Sequence, residues 1–351
     1  MNRLAQRLQA AWLRRGLLAT ALLPLAALYG VIAGLRRALY RHGWLASATL
    51  PVPVVVVGNI VAGGAGKTPT VMAIVARQRA RGHVPGIVSR GHGRRGEGVL
   101  DVRPDTPVQD CGDEPLLLRI RTGAPVVVGS DRVEAARTLL QLHPEVTLIV
   151  TDDGLQHLRL ARQAQVLVFD ERGAGNGWWL PAGPLREALP TCVPARSVVL
   201  YNADRASTPL PGHLVRRGLA GVVALADWWQ GAAPSTQCLR SLRSLPSLIA
   251  AAGVARPGRF FDLLRSHGVS FTPLALPDHF DFASLPWPSG TPDVVLTEKD
   301  AVKLDPAATG ATRVWVAALD FVPDAAFDAA LAALLPPPSH PGTALHGNPP
   351  A

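Results

Sequence analysis

The stretch that most constrains how this chain can fold runs from residue 54 to 70, where Val54-Val55-Val56-Val57 leads through a glycine-rich turn to Gly66-Lys67-Thr68-Pro69-Thr70. A continuous β-branched run is the pattern of a strand buried on both faces of a parallel sheet. Glycines at 63, 64 and 66 let the backbone curl close around an anion. The helix that follows turns unpaired N–H groups and the positive end of its dipole toward that anion. Such a phosphate-binding loop wraps Gly63, Gly64, Ala65, Gly66, Lys67, Thr68 and Pro69 around a nucleotide. Lys67 then reaches the β- and γ-phosphates, and the Thr68 hydroxyl faces Mg²⁺.

The strict pattern G-x-x-x-x-G-K-[ST] is not met, because Val61 stands where its first glycine belongs. What remains resembles the variant loops of a branch of P-loop proteins that often place a second, signature lysine just before the paired glycines. Here that position is Ala62. The competing reading is an ordinary glycine-rich turn with a chance lysine, which the strand-turn-helix context disfavours.

At 351 residues the chain is long enough for two domains. Its formal charge of +9 suits nucleic acid, an anionic membrane or a phosphorylated substrate. Aromatic residues are only 5% and the arginines are dispersed, so no stacking platform argues for nucleic acid. Cys111, Cys192 and Cys238 are too scattered for a disulfide framework or a zinc site, which fits a reducing compartment.

Residues 16–35 carry no charge and lie between Arg14-Arg15 and Arg36-Arg37. About 20 apolar residues can span a bilayer. Arginine pairs on both flanks give no orientation bias, and Pro24, Gly30 and Gly34 weaken a straight span. A helix or helical hairpin embedded in one leaflet is expected, against a full span or a buried soluble helix. A secretory signal is not expected, since a nucleotide site follows at once.

From residue 46 strands and helices alternate. A strand near 84–89 ends in Ser89-Arg90-Gly91-His92-Gly93, where open α/β sheets bind ligands, so Arg90 and His92 are candidates for substrate contact or else part of a solvated loop. Cys111-Gly112-Asp113-Glu114-Pro115 opens an apolar helix, and by position alone Asp113 and Glu114 read as helix-start acids. A strand at 124–129 leads into Ser130-Asp131-Arg132, where Arg132 is either a ligand residue or part of an ion pair on a helix face. Residues 146–154 are an apolar strand ending in Asp152 and Asp153, where P-loop enzymes hold Mg²⁺. Two adjacent carboxylates there repel each other without a cation. Gln156 and His157 follow on the same rim, and 173–183 is a long glycine-rich loop.

A strand at 197–202 closes the first domain, and 203–246 reads as a linker or hairpin. Beyond it, strands are expected at 247–252, 269–274, 293–297 and 312–317, with polar clusters at Asp278-His279-Phe280 and Thr297-Glu298-Lys299-Asp300. A lone loop histidine such as His279 is usually just solvated. The tail, 336–351, is Pro-rich and expected to be disordered.

Together these motifs resemble the tetraacyldisaccharide 4'-kinase family of lipid A biosynthesis. The matching segments are Gly58-Asn59-Ile60 with 63–69, 89–93, 112–115, 152–157, Gly175-Asn176-Gly177, 180–187, Gly253 with Ala255-Arg256-Pro257, Asp278-His279 and 297–303, in order over nearly the whole chain. The resemblance implies transfer of the ATP γ-phosphoryl group to the 4'-hydroxyl of a tetraacylated glucosamine disaccharide 1-phosphate, giving lipid IVA at the cytoplasmic face of the bacterial inner membrane. It implies ATP and Mg²⁺, an acylated disaccharide phosphate lipid and an anionic membrane surface as ligands, with no nucleic acid and no obligate protein partner.

By the same resemblance Asp113 is the base for the sugar hydroxyl, assisted by His279, which revises the capping reading. Lys67, Arg132 and His157 join them as catalytic candidates. Thr68, Asp152 and Asp153 are the metal candidates, and Arg90, His92, Glu114, Gln156 and Asn176 the substrate-binding ones. The family usually has Tyr where His92 stands, and often Thr or Ser at Ala62 and Ala65. The alternative is a membrane-associated P-loop ATPase switch controlling a partner.

The expected fold is α/β, a P-loop NTPase-like, mostly parallel sheet with a second, smaller α/β domain and an N-terminal membrane-associated helix. The expected divisions are 1–45 for the apolar helical segment, 46–204 for the kinase domain, 205–335 for the linker hairpin and smaller domain, and 336–351 for the tail.

Overall fold

The computed structural model describes residues 10–338. The Pro-rich tail beyond Pro338 lies outside the described residues. Twelve strands form one sheet. They are β1 (Val54–Gly58), β2 (Pro85–Ser89), β3 (Leu100–Val102), β4 (Val126–Val128), β5 (Leu148–Thr151), β6 (Ala164–Asp170), β7 (Ser197–Asn202), β8 (His213–Ala224), β9 (Leu248–Ala252), β10 (Thr272–Ala275), β11 (Asp293–Thr297) and β12 (Arg313–Pro323). Their order is β10-β9-β11-β12-β8-β7-β6-β1-β5-β2-β4-β3.

The four valines explain the centre of that order. β1 is flanked by β5 and β6, both parallel, with Val55 opposite Val150 and Val57 opposite Val166, and all its residues are buried. β2, β4, β5, β6 and β7 run the same way as β1, and within 54–202 only the edge strand β3 opposes its neighbour. All the carboxyl ends of these parallel strands therefore open on one rim, where 59–66, 89–93, 130–132, 152–157 and 171–186 converge.

Residues 203–246 hold more than a linker. β8 adds to β7 at Leu200 and Tyr201, then pairs antiparallel with β12 along most of its length. The β8/β12 register breaks between Ala318 and Leu319, near Gly221 at φ 147°, and a bulge of this kind bends a strand. β9, β10 and β11 continue from β12 in parallel. The second half is thus continuous with the first sheet, and the bend brings its loops against the rim of the first half. One apolar cluster runs from Val55 and Ile74 to Val294, Val316 and Phe327.

The N-terminal segment forms two helices, Leu17–Ala21 and Leu23–Arg41. The small residues Ala26 and Gly30 face inward, and a Cβ on Gly30 would sit 1.5 Å from the Trp179 ring. Tyr29 Oη donates to Arg186 O at 3.0 Å, Arg36 to Gln156 O at 3.1 Å, and Arg37 pairs with Glu187. Leu25, Leu28, Val31, Ile32 and Leu35 point outward and are more than half exposed. The buried-helix alternative is therefore wrong, because the helix docks with its small-residue face. Among the described residues no helix is long and apolar enough to cross a membrane.

Candidate active site

The helix Lys67–Ala80 starts where the loop ends, with Gly66 as N-cap at φ 93°. A side chain there would be strained and would collide with Asn202, whose Nδ2 lies 2.3 Å from the position of a Cβ. Val61 stands in place of a glycine because it is part of a β-bridge to Leu185, reinforced by Ala62 N donating to Pro184 O at 2.8 Å. Lys67 Nζ lies 3.5 Å from Asn59 Oδ1 and 3.6 Å from Asp153 Oδ1.

The paired carboxylates have different surroundings. Asp153, at φ 50°, meets Lys67 and also Arg186, whose Nη1 is 3.1 Å from its Oδ1. Those cations hold its carboxyl below the usual range although burial alone would raise it. The expected repulsion between neighbours is thus relieved by Lys67 and Arg186. Asp152 is fully buried. Burial first, then the charge of Glu114, push its carboxyl well above the usual range, and its Oδ1 has no partner. Its Oδ2 is 3.4 Å from Thr68 Oγ1. An orphaned buried carboxylate oxygen beside a hydroxyl fits a hard cation. Among the described residues no group of three or more His, Cys, Asp or Glu forms a closed cage. That suits Mg²⁺, which takes one or two protein oxygens and completes its shell with phosphate and water.

Asp113 opens the helix Asp113–Thr122 and is 7% exposed. His279, from the second half, donates Nδ1–H to Asp113 Oδ2 at 2.8 Å across 166 positions of sequence. Like Asp153, His279 is a non-glycine residue at positive φ, 60°. Backbone strain of this kind persists where the surroundings enforce it and clusters at functional sites. Lys299 Nζ completes the group at 3.9 Å from Asp113, 3.3 Å from Glu114 and 4.0 Å from Asp278. Burial would raise Asp113, but the His279 hydrogen bond and the charges of Lys299, His279 and Lys303 hold it below the usual carboxylate range. The same hydrogen bond raises the imidazole of His279 against burial and Lys299. The exposed His92 ring is 6.4 Å from that of His279, and Arg90 is exposed on the same rim.

Other candidates are placed differently. Arg132 is buried, donates Nη1 to Gly129 O and Ser130 O, and leaves Nε without a partner. Burial, with Arg90 nearby, lowers it to about 10, so it stays cationic beside Asp152 and Asp153. His157 is pushed down to about 4 by burial and by Arg132, and its Nε2 is 3.8 Å from Asp131. It is a neutral imidazole behind the arginine. Gln156 joins the rim, receiving Arg186 at 3.3 Å and donating to Asn59 O at 3.1 Å. Asn176 is almost wholly buried and bonded to Ala182 O, Ala11 O and Trp178 N, so its side chain organises the 173–183 loop. Asn59, Arg186, Asn202 and Lys299 were not among the expected site residues. Asn59, Arg186 and Lys299 lie in the quoted motifs, but only spatial contact distinguishes them from their neighbours.

A cleft of about 1210 Å³ lies beside the loop, lined by 64–69, Glu114, Asn202, Arg256, Phe260 and Lys299 among others. It reaches Glu114 and Lys299, the neighbours of Asp113. The model of the family described as tetraacyldisaccharide-1-P 4'-kinase, LpxK, matches residues 18–336. The chain belongs to this family. A tetraacyldisaccharide 4'-kinase of Methylibium petroleiphilum is 58% identical over 331 residues, covering 93% of this chain and 92% of that protein. One from Leptothrix cholodnii is 54% identical over 339 residues, 95% of this chain and 97% of that protein. The crystal structure of an "apo" form LpxK from Aquifex aeolicus in complex with ATP aligns with a TM-score of 0.76 at 25% identity, over 91% of this chain and 100% of that one. The family is one of phosphotransferases with a hydroxyl acceptor, and nothing found supports the alternative of an ATPase switch.

Proposed function

We propose that this chain performs its family's reaction, moving the γ-phosphoryl group of ATP to the 4'-hydroxyl of a tetraacylated glucosamine disaccharide 1-phosphate. The observation that carries the assignment of roles is the 2.8 Å contact of His279 with Asp113, made across the two halves beside the glycine-rich loop. Asp113, ionised at neutral pH, accepts the proton of the acceptor hydroxyl. His279 orients that carboxylate and tunes its basicity. Lys67 binds the phosphates, and its interaction strengthens as charge moves toward the leaving group. Thr68 and Asp152 would hold Mg²⁺, which neutralises phosphate charge when bound. Asp153 keeps Lys67 and Arg186 in place, and Arg132 adds positive potential behind the carboxylates. Arg90, His92, Glu114 and Gln156 line the acceptor's approach.

The exposed face of the helix Leu23–Arg41 would rest on a membrane with the arginines at its ends among lipid phosphates, leaving the acyl chains in or near the bilayer. On this reading the chain works peripherally at the cytoplasmic face of the inner membrane. Incubation with [γ-³²P]ATP, the lipid acceptor and vesicles tests the reaction. Label should move to lipid, and Lys67→Ala should abolish transfer while the melting temperature stays near wild type. Release of label only to water would sink the kinase reading, and Lys67→Ala activity within about threefold of wild type would sink the loop assignment.

A further inference from the structure

A loop that turns its N–H groups inward to an anion must have its outward carbonyls held, and here four consecutive carbonyls each meet a side-chain donor. Asn59 Nδ2 donates to Gly63 O at 3.0 Å and Asn202 Nδ2 to Ala65 O at 3.0 Å. Arg172 supplies the other two, with Nη1 donating to Ala62 O at 3.4 Å and Nη2 to Gly64 O at 3.1 Å. The guanidinium is fixed by Asp170 at the end of β6, which is 2% exposed and receives Nε at 3.0 and 2.9 Å and Nη2 at 2.9 Å. Asp170 also lies 3.3 Å from Arg256 Nη2 in the second half. Arg172 is not among the residues that line the cleft, so it stands behind the loop.

We propose that Arg172, held by Asp170, is a positioning residue for the reaction, bracing 62–64 in the shape that cradles phosphate. With alanine at 62 and 65, those two loop positions have no side chain with which to do this. A planar fork can hold a carboxylate on one edge and carbonyls on the other, which an ammonium on a flexible stem cannot reproduce. The inference rests on the reading of this loop as the ATP site.

The test is calorimetric ATP binding to the full chain, wild type beside Arg172→Lys, Arg172→Ala and Lys67→Ala, with melting temperatures and KM for each substrate. Both Arg172 variants should bind ATP about tenfold more weakly, the loss expected for one charge-assisted hydrogen bond. The KM for the lipid acceptor should not change, and Arg172→Lys, which keeps a cation beside Asp170, should hold its melting temperature near wild type, whereas Arg172→Ala should lower it because buried Asp170 loses its main partner. Guanidinium ion at low concentration should restore ATP affinity to Arg172→Ala but not to Lys67→Ala. Wild-type affinity in Arg172→Lys would overturn the bracing role. So would an Arg172→Ala defect that guanidinium leaves untouched and that falls equally on acceptor KM, since that pattern marks general distortion. A wild type that binds no ATP would overturn the loop reading along with the proposal.

Discussion

Asp113 and His279 each carry a pKa shift that depends on the other. The depressed Asp113 carboxyl contributes stability that is present above the ordinary carboxylate pKa and lost as pH falls through its lowered value. The raised His279 contributes stability that is present below the ordinary histidine pKa and lost as pH rises through its raised value. The ion pair is therefore intact between those limits, where Asp113 is also ionised, as the role proposed for it demands. NMR titration of His279 should give a midpoint above that of an ordinary histidine, falling back toward it in Asp113→Asn. An unchanged midpoint would dissociate the two. On kcat, Asp113→Ala and His279→Ala should be non-additive, the double variant being little worse than Asp113→Ala alone, with ATP affinity nearly unchanged. Multiplying defects would give His279 a separate role. Gly66→Ala combines positive φ with a collision against Asn202, so ATP binding should be lost by about tenfold or more, beyond the roughly 1 kcal/mol of an unstrained glycine change.

At the scale of elements, the helix Leu23–Arg41 divides its work between two faces. Gly30 docks on Trp179 with Ala26 buried on the same face, and Leu28, Val31, Ile32 and Leu35 form an outward apolar stripe. Burying one such side chain in a lipid interface is worth roughly 1.5–3 kcal/mol. The triple substitution Leu28→Glu, Ile32→Glu, Leu35→Glu should therefore release the protein from anionic vesicles in a sedimentation assay and weaken use of the acylated acceptor, while ATP affinity holds. Retention on vesicles would mean that another surface binds the membrane.

At the scale of the whole molecule, the two halves communicate through buried charge as well as through the sheet. Glu298, 8% exposed, pairs with Arg121 of the first half and also receives Trp228 Nε1 at 3.2 Å and Leu319 N at 3.3 Å. Removing one partner of a buried pair leaves the other charge uncompensated. Because Arg121 is partly exposed and Glu298 keeps two other donors, Arg121→Ala should cost on the order of 2 kcal/mol, below the range for a fully buried pair. Denaturant unfolding should show a lowered midpoint with an unchanged slope. A broadened, two-step transition would instead mean that the halves unfold separately.

The sequence by itself determined the parts of this protein that depend on local pattern. Four valines point to a central parallel strand, and a Gly-Lys-Thr helix start reads as an anion site, because periodicity and backbone freedom are properties of neighbouring residues. The order of motifs also carried the family resemblance. Contacts between distant segments were decided only by the tertiary structure. A pair of adjacent aspartates looks symmetrical in sequence, yet Asp153 meets Lys67 and Arg186 while Asp152 keeps an orphaned oxygen beside Thr68. Asn176 sits in a family motif, yet its amide is used up by backbone. Residues 203–246 look like a linker because β8 finds its partner about 100 residues later in β12, a pairing that leaves no short-range mark. Arg172, Asn59 and Asn202 lie apart along the chain and come together only around the loop, whose carbonyls take donors that the loop's own residues do not provide.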